Sequence, residues 1–338
     1  MNPALPLDRR LSPGDGLLVL SSDNRERAHV DELQYSYPLK LIVPARRFLP
    51  GMQCVYVLSY GGGLVAGDRV RLKVEVKQGT TLVMLTQGST KVFKVRPGEF
   101  LTANSFNRTS TTEQLYRLWV DRSACLVLLP APVTCFSRAR YSQRQVVRLA
   151  DESSSLVLLD WYTSGRMAYG GHKEGEEWEF AMYRSENEVW LGDEKRLAKD
   201  VLLLEDEDEG PDVADESVGV DEATPSSEDP LPPVGSTSYR SRVAPYSCYA
   251  ALFLFGPHTA KLRSHLDTAF SAISQYSQSR PYSLVWSYSP LAGHPGGGGI
   301  ARCAGASTEE VKDWIDHMLG NGGIADLMGP DLWKTALA

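Results

Sequence analysis

The sequence predicts a mainly β protein built on two packed or wound sheets, with a few C-terminal α-helices. Three observations predict it. Short apolar or alternating runs, separated by turn residues, recur through most of the chain before residue 200. One of them, Val70, Leu72, Val74 and Val76, alternates with Arg69, Arg71, Lys73, Glu75 and Lys77 at the period of two that a half-buried strand requires. Beyond residue 255 the period changes to the helical one.

The strand-like runs are Leu17–Leu20, Leu39–Val43, Cys54–Leu58, Val70–Val76, Thr81–Leu85, Cys125–Leu129, Gln145–Leu149, Ser155–Trp161, Glu177–Tyr183 and Glu188–Leu191. Gln78-Gly79 between two of them reads as a hairpin turn. The spacings between runs vary, so no solenoid-type repeat is visible. Tyr249–Phe255 is a further strand. Leu262, Leu266, Phe270 and Ile273 then fall at helical spacing after Gly256-Pro257. In a second helix Ser307 and Glu310 are placed as a capping box, followed by the stripe Val311, Trp314, Ile315, Met318 and Leu319 and a stop at Gly320. Both stripes read as core packing.

Two polar, glycine-bearing segments flank the alternating strand. Leu58–Asp68 reads LSYGGGLVAGD and Leu85–Phe93 reads LTQGSTKVF. Gly61, Gly62, Gly63 and Gly67 lie within seven residues, a density that implies positive φ angles or close approach to the backbone.

The formal charge of −7 is unevenly distributed: Glu205–Gly235 holds twelve acids and no Lys or Arg, which leaves 35 basic against 30 acidic residues elsewhere. Such a segment buries too little to offset its ordering entropy and is expected to be a disordered insert. The expected organisation is a poorly ordered start with a first strand (1–35), a β-rich core (36–204), the acidic insert (205–238) and a continuation of the core with C-terminal helices (239–338). No apolar run is long enough to cross a membrane, and the N-terminus has no secretory pattern. Cys54, Cys125, Cys135, Cys248 and Cys303 are scattered, odd in number and without a CxxC pair, which fits unpaired thiols in a reducing compartment, the cytoplasm.

The usual enzyme signatures are missing. Gly88-Ser89-Thr90-Lys91 reverses the order of a P-loop and runs on into Val92-Phe93. Neither Ser59 nor Ser164 lies in a GxSxG elbow. His29, His172, His258, His265, His294 and His317 are dispersed, without the spacing of a tight metal site.

The two glycine-bearing segments resemble the urease accessory protein family UreD, called UreH in some bacteria. The resemblance continues in Asp160-Trp161-Tyr162-Thr163-Ser164-Gly165-Arg166, in Gly175-Glu176-Glu177-Trp178-Glu179-Phe180 and in Tyr183-Arg184-Ser185. It extends to Trp286-Ser287-Tyr288-Ser289-Pro290-Leu291 and Arg302-Cys303-Ala304-Gly305, and spans roughly Ser36 to Leu337 apart from the acidic insert. It implies an elongated, β-helix-like arrangement of strands and a non-catalytic scaffold. Such a scaffold binds apo-urease, joins a UreF-like accessory protein and through it a UreG-like GTPase. It also conducts nickel(II) along a water-filled tunnel, with no tightly bound cofactor, no nucleic acid and no membrane involved. Passage of the ion calls for weak oxygen ligands set apart from one another, because thiolate capture would hold it.

Within the matched motifs the candidates for such a lining are Asp68, Thr90, Asp160 and Glu176. Each has a purely structural alternative: a loop aspartate bonding nearby N–H groups, a turn hydroxyl, a buried acid paired with Arg166, and a surface glutamate. One departure stands out. Many relatives carry an acid or amide just after the first proline of Leu129-Pro130-Ala131-Pro132, where this chain has Ala131. The competing reading from another class is a β-rich hydrolase or lyase that uses Asp68 and Glu176 as a carboxylate pair.

Overall fold

The computed structural model describes residues 11–23, 25–46, 48–94, 111–166, 176–205, 238–273, 283–292 and 296–336. The acidic stretch 206–237, like His172, Gly175 and His294, lies outside the described residues. In chain order the strands are β1 (Asp15–Ser22), β2 (Ala28–Tyr35), β3 (Leu39–Ile42), β4 (Met52–Ser59), β5 (Arg69–Val76), β6 (Thr81–Leu85), β7 (Thr90–Val92), β8 (Thr112–Val120) and β9 (Cys125–Leu129). They continue as β10 (Val133–Cys135), β11 (Arg140–Leu149), β12 (Ser155–Thr163), β13 (Met182–Leu191), β14 (Lys195–Glu205), β15 (Cys248–Phe255), β16 (Leu284–Leu291) and β17 (Gly298–Gly305). The helices are α1 (Tyr239–Val243), α2 (Ala260–Ser271), α3 (Thr308–Asn321), α4 (Ile324–Met328) and α5 (Pro330–Ala336).

The protein is mainly β, as expected. A seven-stranded sheet has the order β14-β13-β11-β8-β5-β1-β2, and a ten-stranded sheet has the order β16-β17-β15-β12-β9-β6-β4-β3 with β7 and β10 attached. From β4 onward the chain passes back and forth between them. Strands β5, β8, β11 and β13 stack in parallel in the first sheet, and β4, β6, β9 and β12 in the second. This is the β-helix-like winding that the family resemblance implies.

The hairpin expected at Gln78-Gly79 does not form. Both neighbours of β5 are parallel strands, β1 and β8, and β6 pairs with β4 and β9 in the other sheet. The turn instead carries the chain across the sandwich. Gly79 takes φ +71, and the buried Thr80 donates its hydroxyl to the Lys77 carbonyl at 2.7 Å. Strand β13 also begins later than its expected start at Glu177, because Trp178 turns the chain at φ +56.

The two sheets differ in burial, which explains why their strands read differently. The seven-stranded sheet turns one face to the core, so β5 alternates buried Val70, Leu72, Val74 and Val76 with outward charges. The ten-stranded sheet is covered on both faces, so β9 and β12 are buried throughout. Its inner face packs on the first sheet through Leu126, Leu158, Phe253 and Phe255, and its outer face packs on α2 to α5. Each fully buried side chain of this kind contributes about 1.5–3 kcal/mol. Helix α3 starts at the predicted capping box and buries the predicted stripe Val311, Trp314, Ile315, Met318 and Leu319, but it runs one residue past Gly320 before its cap at Gly322. On α2, Leu262 and Leu266 are buried, whereas Ile273 lies beyond the helix and is exposed.

On the outward face of the seven-stranded sheet two carboxylates are sunk among cations. Glu186 contacts Arg184 at 2.5 Å and Lys199 at 3.1 Å, and Glu188 contacts Arg144 at 2.7 Å. Burial pushes Glu186 upward, but its contacts with Glu188, Lys199, Arg184 and Arg144 outweigh it and hold the carboxyl at about 2. A depressed acid stabilises the fold above its unfolded value near 4.5 and loses that contribution as pH falls toward 2. Urea unfolding as a function of pH is therefore expected to show a loss of stability below about pH 4.5 that is smaller in Glu186→Gln. An unchanged pH profile in that variant would count against the assignment.

Candidate functional site

The two glycine-bearing loops meet at one end of the sandwich. Leu64 donates to the Lys91 carbonyl at 2.8 Å, and Phe93 donates to the Leu64 carbonyl at 2.9 Å. Gly63 makes this approach possible: a Cβ there would lie 2.7 Å from the Lys91 oxygen and 2.6 Å from the Phe93 ring. Gly61 and Gly62 take φ +73 and +76 with open space around them. Both explanations expected for the glycine density, positive φ and close approach, therefore apply.

Beneath these loops a cavity of about 150 Å³ runs between the sheets. Its rim is formed by Ser59, Gly62, Gln87, Gly88, Ser89 and Thr90. Leu39, Val57, Leu64 and Leu128 form apolar walls, and the inner part is polar, with Gln114, Tyr116, Gln143, Gln145 and Asp160.

Asp160 sits at the centre of that polar part. Strand β12 turns Leu156, Leu158, Asp160 and Tyr162 toward the first sheet, where β11 and β13 present Gln143, Gln145, Ser185 and Asn187. Gln143 donates to Asp160 Oδ1 at 2.6 Å, while the Ser185 hydroxyl at 2.5 Å and Asn187 Nδ2 at 2.7 Å donate to Oδ2. The chain of bonds continues outward: Tyr141 donates to Gln114 at 2.7 Å, and Gln145 donates to Asn187 at 3.0 Å. Burial raises the Asp160 carboxyl above the ordinary aspartate range, against the three donors that lower it. The buried Tyr183 hydroxyl has no hydrogen-bond partner among the described residues.

Of the four candidates read from the sequence, Thr90 and Asp160 line this cavity; Asp68 and Glu176 do not. Asp68 Oδ2 accepts from the Val65 amide at 2.8 Å and closes its own loop. Burial raises its carboxyl. Glu176 accepts from Arg166 Nε at 2.8 Å and from the Ser137 amide at 3.3 Å, and the Arg166 hydrogen bond holds it below the usual range. The expected Asp160–Arg166 pair is thus replaced by Arg166–Glu176. Asp160 points between the sheets, whereas the chain turns at Ser164-Gly165 and carries Arg166 away to Glu176, with its guanidinium 4.0 Å over the Phe136 ring. Asp68 and Glu176 are each held by their own donors, the Val65 amide for the first and Arg166 with the Ser137 amide for the second.

Ala131 lies in the cavity wall, and its amide donates to the Thr86 hydroxyl at 2.7 Å. The polar residues facing Asp160 were not legible as site residues. Their signal was parity: Tyr141, Gln143, Gln145, Val147 and Leu149 share one strand face, and two glutamines on an inward face need a polar partner. All five cysteines are buried and unpaired, and burial pushes the Cys125 thiol up to about 12. Among the described residues no group of three or more His, Cys, Asp or Glu is placed to hold a metal, and no helix is long and apolar enough to cross a membrane.

Residues 14–327 match the family model described as UreD urease accessory protein. The chain belongs to the UreD family. Urease accessory protein 4 of Cryptococcus neoformans var. grubii is 33% identical over 339 residues, covering 97% of this chain and 96% of the relative. Urease accessory protein D of Oryza sativa subsp. indica is 31% identical over 315 residues, with 87% and 88% covered, and that of Arabidopsis thaliana is 41% identical over 171 residues, about half of each chain. The UreD match begins at Gly14, just before β1, and ends at Leu327 in α4, so it contains both sheets, both loops and the whole cavity wall. This UreD-family chain is therefore a urease accessory protein.

Proposed function

We propose that this chain is a non-catalytic scaffold in urease maturation that conducts nickel(II) toward the apo-urease active site. The observation that supports the reading is the inter-sheet cavity. Its rim offers neutral oxygens, and its depth offers the carboxylate of Asp160, with no histidine or thiol among the described wall residues. One buried negative charge lowers the electrostatic barrier to a cation, and the lack of further ligands avoids a deep trap. In this reading Asp68 and Glu176 stand outside the conduit and shape the loops around it.

The partners are apo-urease, a UreF-like accessory protein and, through it, a UreG-like GTPase that performs the nucleotide chemistry. The setting is the cytoplasm, in keeping with five unpaired thiols. The two sheets and the C-terminal helices act as one scaffold.

The test is urease activation in cells that co-express urease, its other accessory proteins and this chain, with nickel supplied. Deleting the chain is expected to leave urease without nickel and inactive, and the chain is expected to co-purify with apo-urease. Full activation without it, together with no co-purification, would refute the proposal.

A further inference from the structure

We infer that the cavity takes its cation as an intact aqua ion, held through the hydrogen atoms of its own water shell and not by direct bonds to protein oxygens. The inference rests on the conduit reading and specifies the form of the cargo.

Three observations support it. The first is a count of lone pairs on Asp160. A carboxylate offers about four acceptor sites. Three are occupied, one by Gln143 and two by Ser185 and Asn187. The one that is left suits a single O–H donor from a metal-bound water. Direct coordination would strip a water from the ion in exchange for one monodentate oxygen, with no second strong ligand to complete the exchange.

The second is the chemistry of the remaining walls. Apart from Asp160 and the Tyr116 phenol, the described walls carry no ionisable side chain. They supply the hydroxyl and amide oxygens of Ser59, Thr86, Ser89, Thr90, Gln114 and Gln145. These weak neutral oxygens are poor replacements for water on nickel(II), which favours nitrogen ligands, but they are good acceptors for the acidified protons of its hydration shell.

The third is room. A cavity needs roughly 10–15 Å³ of such space to hold one water. At about 150 Å³ this one exceeds that by an order of magnitude, which gives room for an ion together with several waters.

The experiment uses the full chain with its alanine and leucine methyl groups labelled, and two probes: nickel(II) and hexaamminecobalt(III). The cobalt complex cannot exchange its ligands, and it presents N–H donors in the octahedral pattern of an aqua ion. Nickel is expected to broaden the methyl signals of Leu64, Leu128 and Ala131. The cobalt complex is expected to shift the same signals and to relieve the broadening by competition. Asp160→Asn is expected to weaken both probes by about tenfold or more while its other methyl signals keep their positions. Broadening by nickel, with no shift of those signals by the cobalt complex and no relief by it, would overturn the inference alone: the conduit would stand, with direct coordination. If neither probe reaches the cavity methyls while the chain still activates urease, the inference falls together with the conduit reading, and the chain is a scaffold only.

Discussion

Urease activation is expected to fall by about tenfold or more when Asp160 is replaced by Asn, with the chain still folded and still co-purifying with its partners. The substitution keeps the size and planarity of the side chain and removes the one carboxylate among the described cavity residues. At an effective dielectric of about 20, a unit charge a few ångströms from a divalent ion is worth several kcal/mol, far more than one tenfold step. The check is urease nickel content and activity in the reconstituted system, beside thermal unfolding of the purified variant. Normal activation by Asp160→Asn would remove this carboxylate from the mechanism.

The pH dependence of Asp160 runs opposite to that of Glu186. Burial raises the Asp160 carboxyl, so its contribution to stability is complete below the unfolded aspartate value near 3.8 and is lost as pH rises through the folded value. Asp160→Asn lacks that dependence. The difference in unfolding free energy should therefore shift toward the variant as pH rises. If the proposed conduit operates through the charged form of Asp160, urease activation should fall off in the acid direction sooner than an ordinary aspartate would make it fall.

The second large effect is expected at Gly165. Its φ of +135 is a conformation that side chains rarely adopt, and a Cβ there would lie 2.1 Å from the Glu176 carbonyl oxygen. The crossing is tight because Trp178 donates to the Ser164 carbonyl at 2.7 Å and Glu176 donates to the Arg166 carbonyl at 3.1 Å on either side of it. Strained backbone of this kind costs about 1–3 kcal/mol, and displacing Glu176 adds the loss of its Arg166 partner. Gly165→Ala is expected to destabilise the fold by about 3 kcal/mol or more, read from urea midpoints at constant slope. A change within about 0.5 kcal/mol, the range of an ordinary surface substitution, would mean that the two segments separate at little cost.

The strands that were legible in the sequence are those whose burial pattern is simple. Val70–Val76 alternates because one side meets water, and Thr81–Leu85 and Cys125–Leu129 are apolar because neither side does. The missed strands break those patterns. In β2 every residue is at least partly exposed, β14 begins with a run of charges, and β8 mixes Gln114 and Arg117 with its buried positions. The pairing was misread at Gln78-Gly79 because a two-residue turn looks the same whether it joins partners or crosses between sheets. For the site, family motifs located Thr90 and Asp160 at the cavity. They could not separate these from Asp68 and Glu176, since only the fold shows which carboxylates are spent on their own loops. Asp160's true partners lie 17 to 27 positions away in sequence, beyond any local spacing rule.

The winding has a kinetic consequence. Neighbouring strands pair residues far apart in the chain: Met52 with Thr81, Arg140 with Met182, Arg69 with Glu113, Asp15 with Arg71. None of these contacts forms until a long loop has closed, and closure entropy is spent before any burial offsets it. A chain of this topology belongs among slow folders, on the millisecond-to-second scale or beyond. During that time the apolar strands β6, β9 and β12 are open on both faces and both edges, which makes association between nascent chains the competing reaction. Yield of the folded protein should accordingly depend on the rate of synthesis and on the concentration of unfinished chains more than on the stability of the finished one.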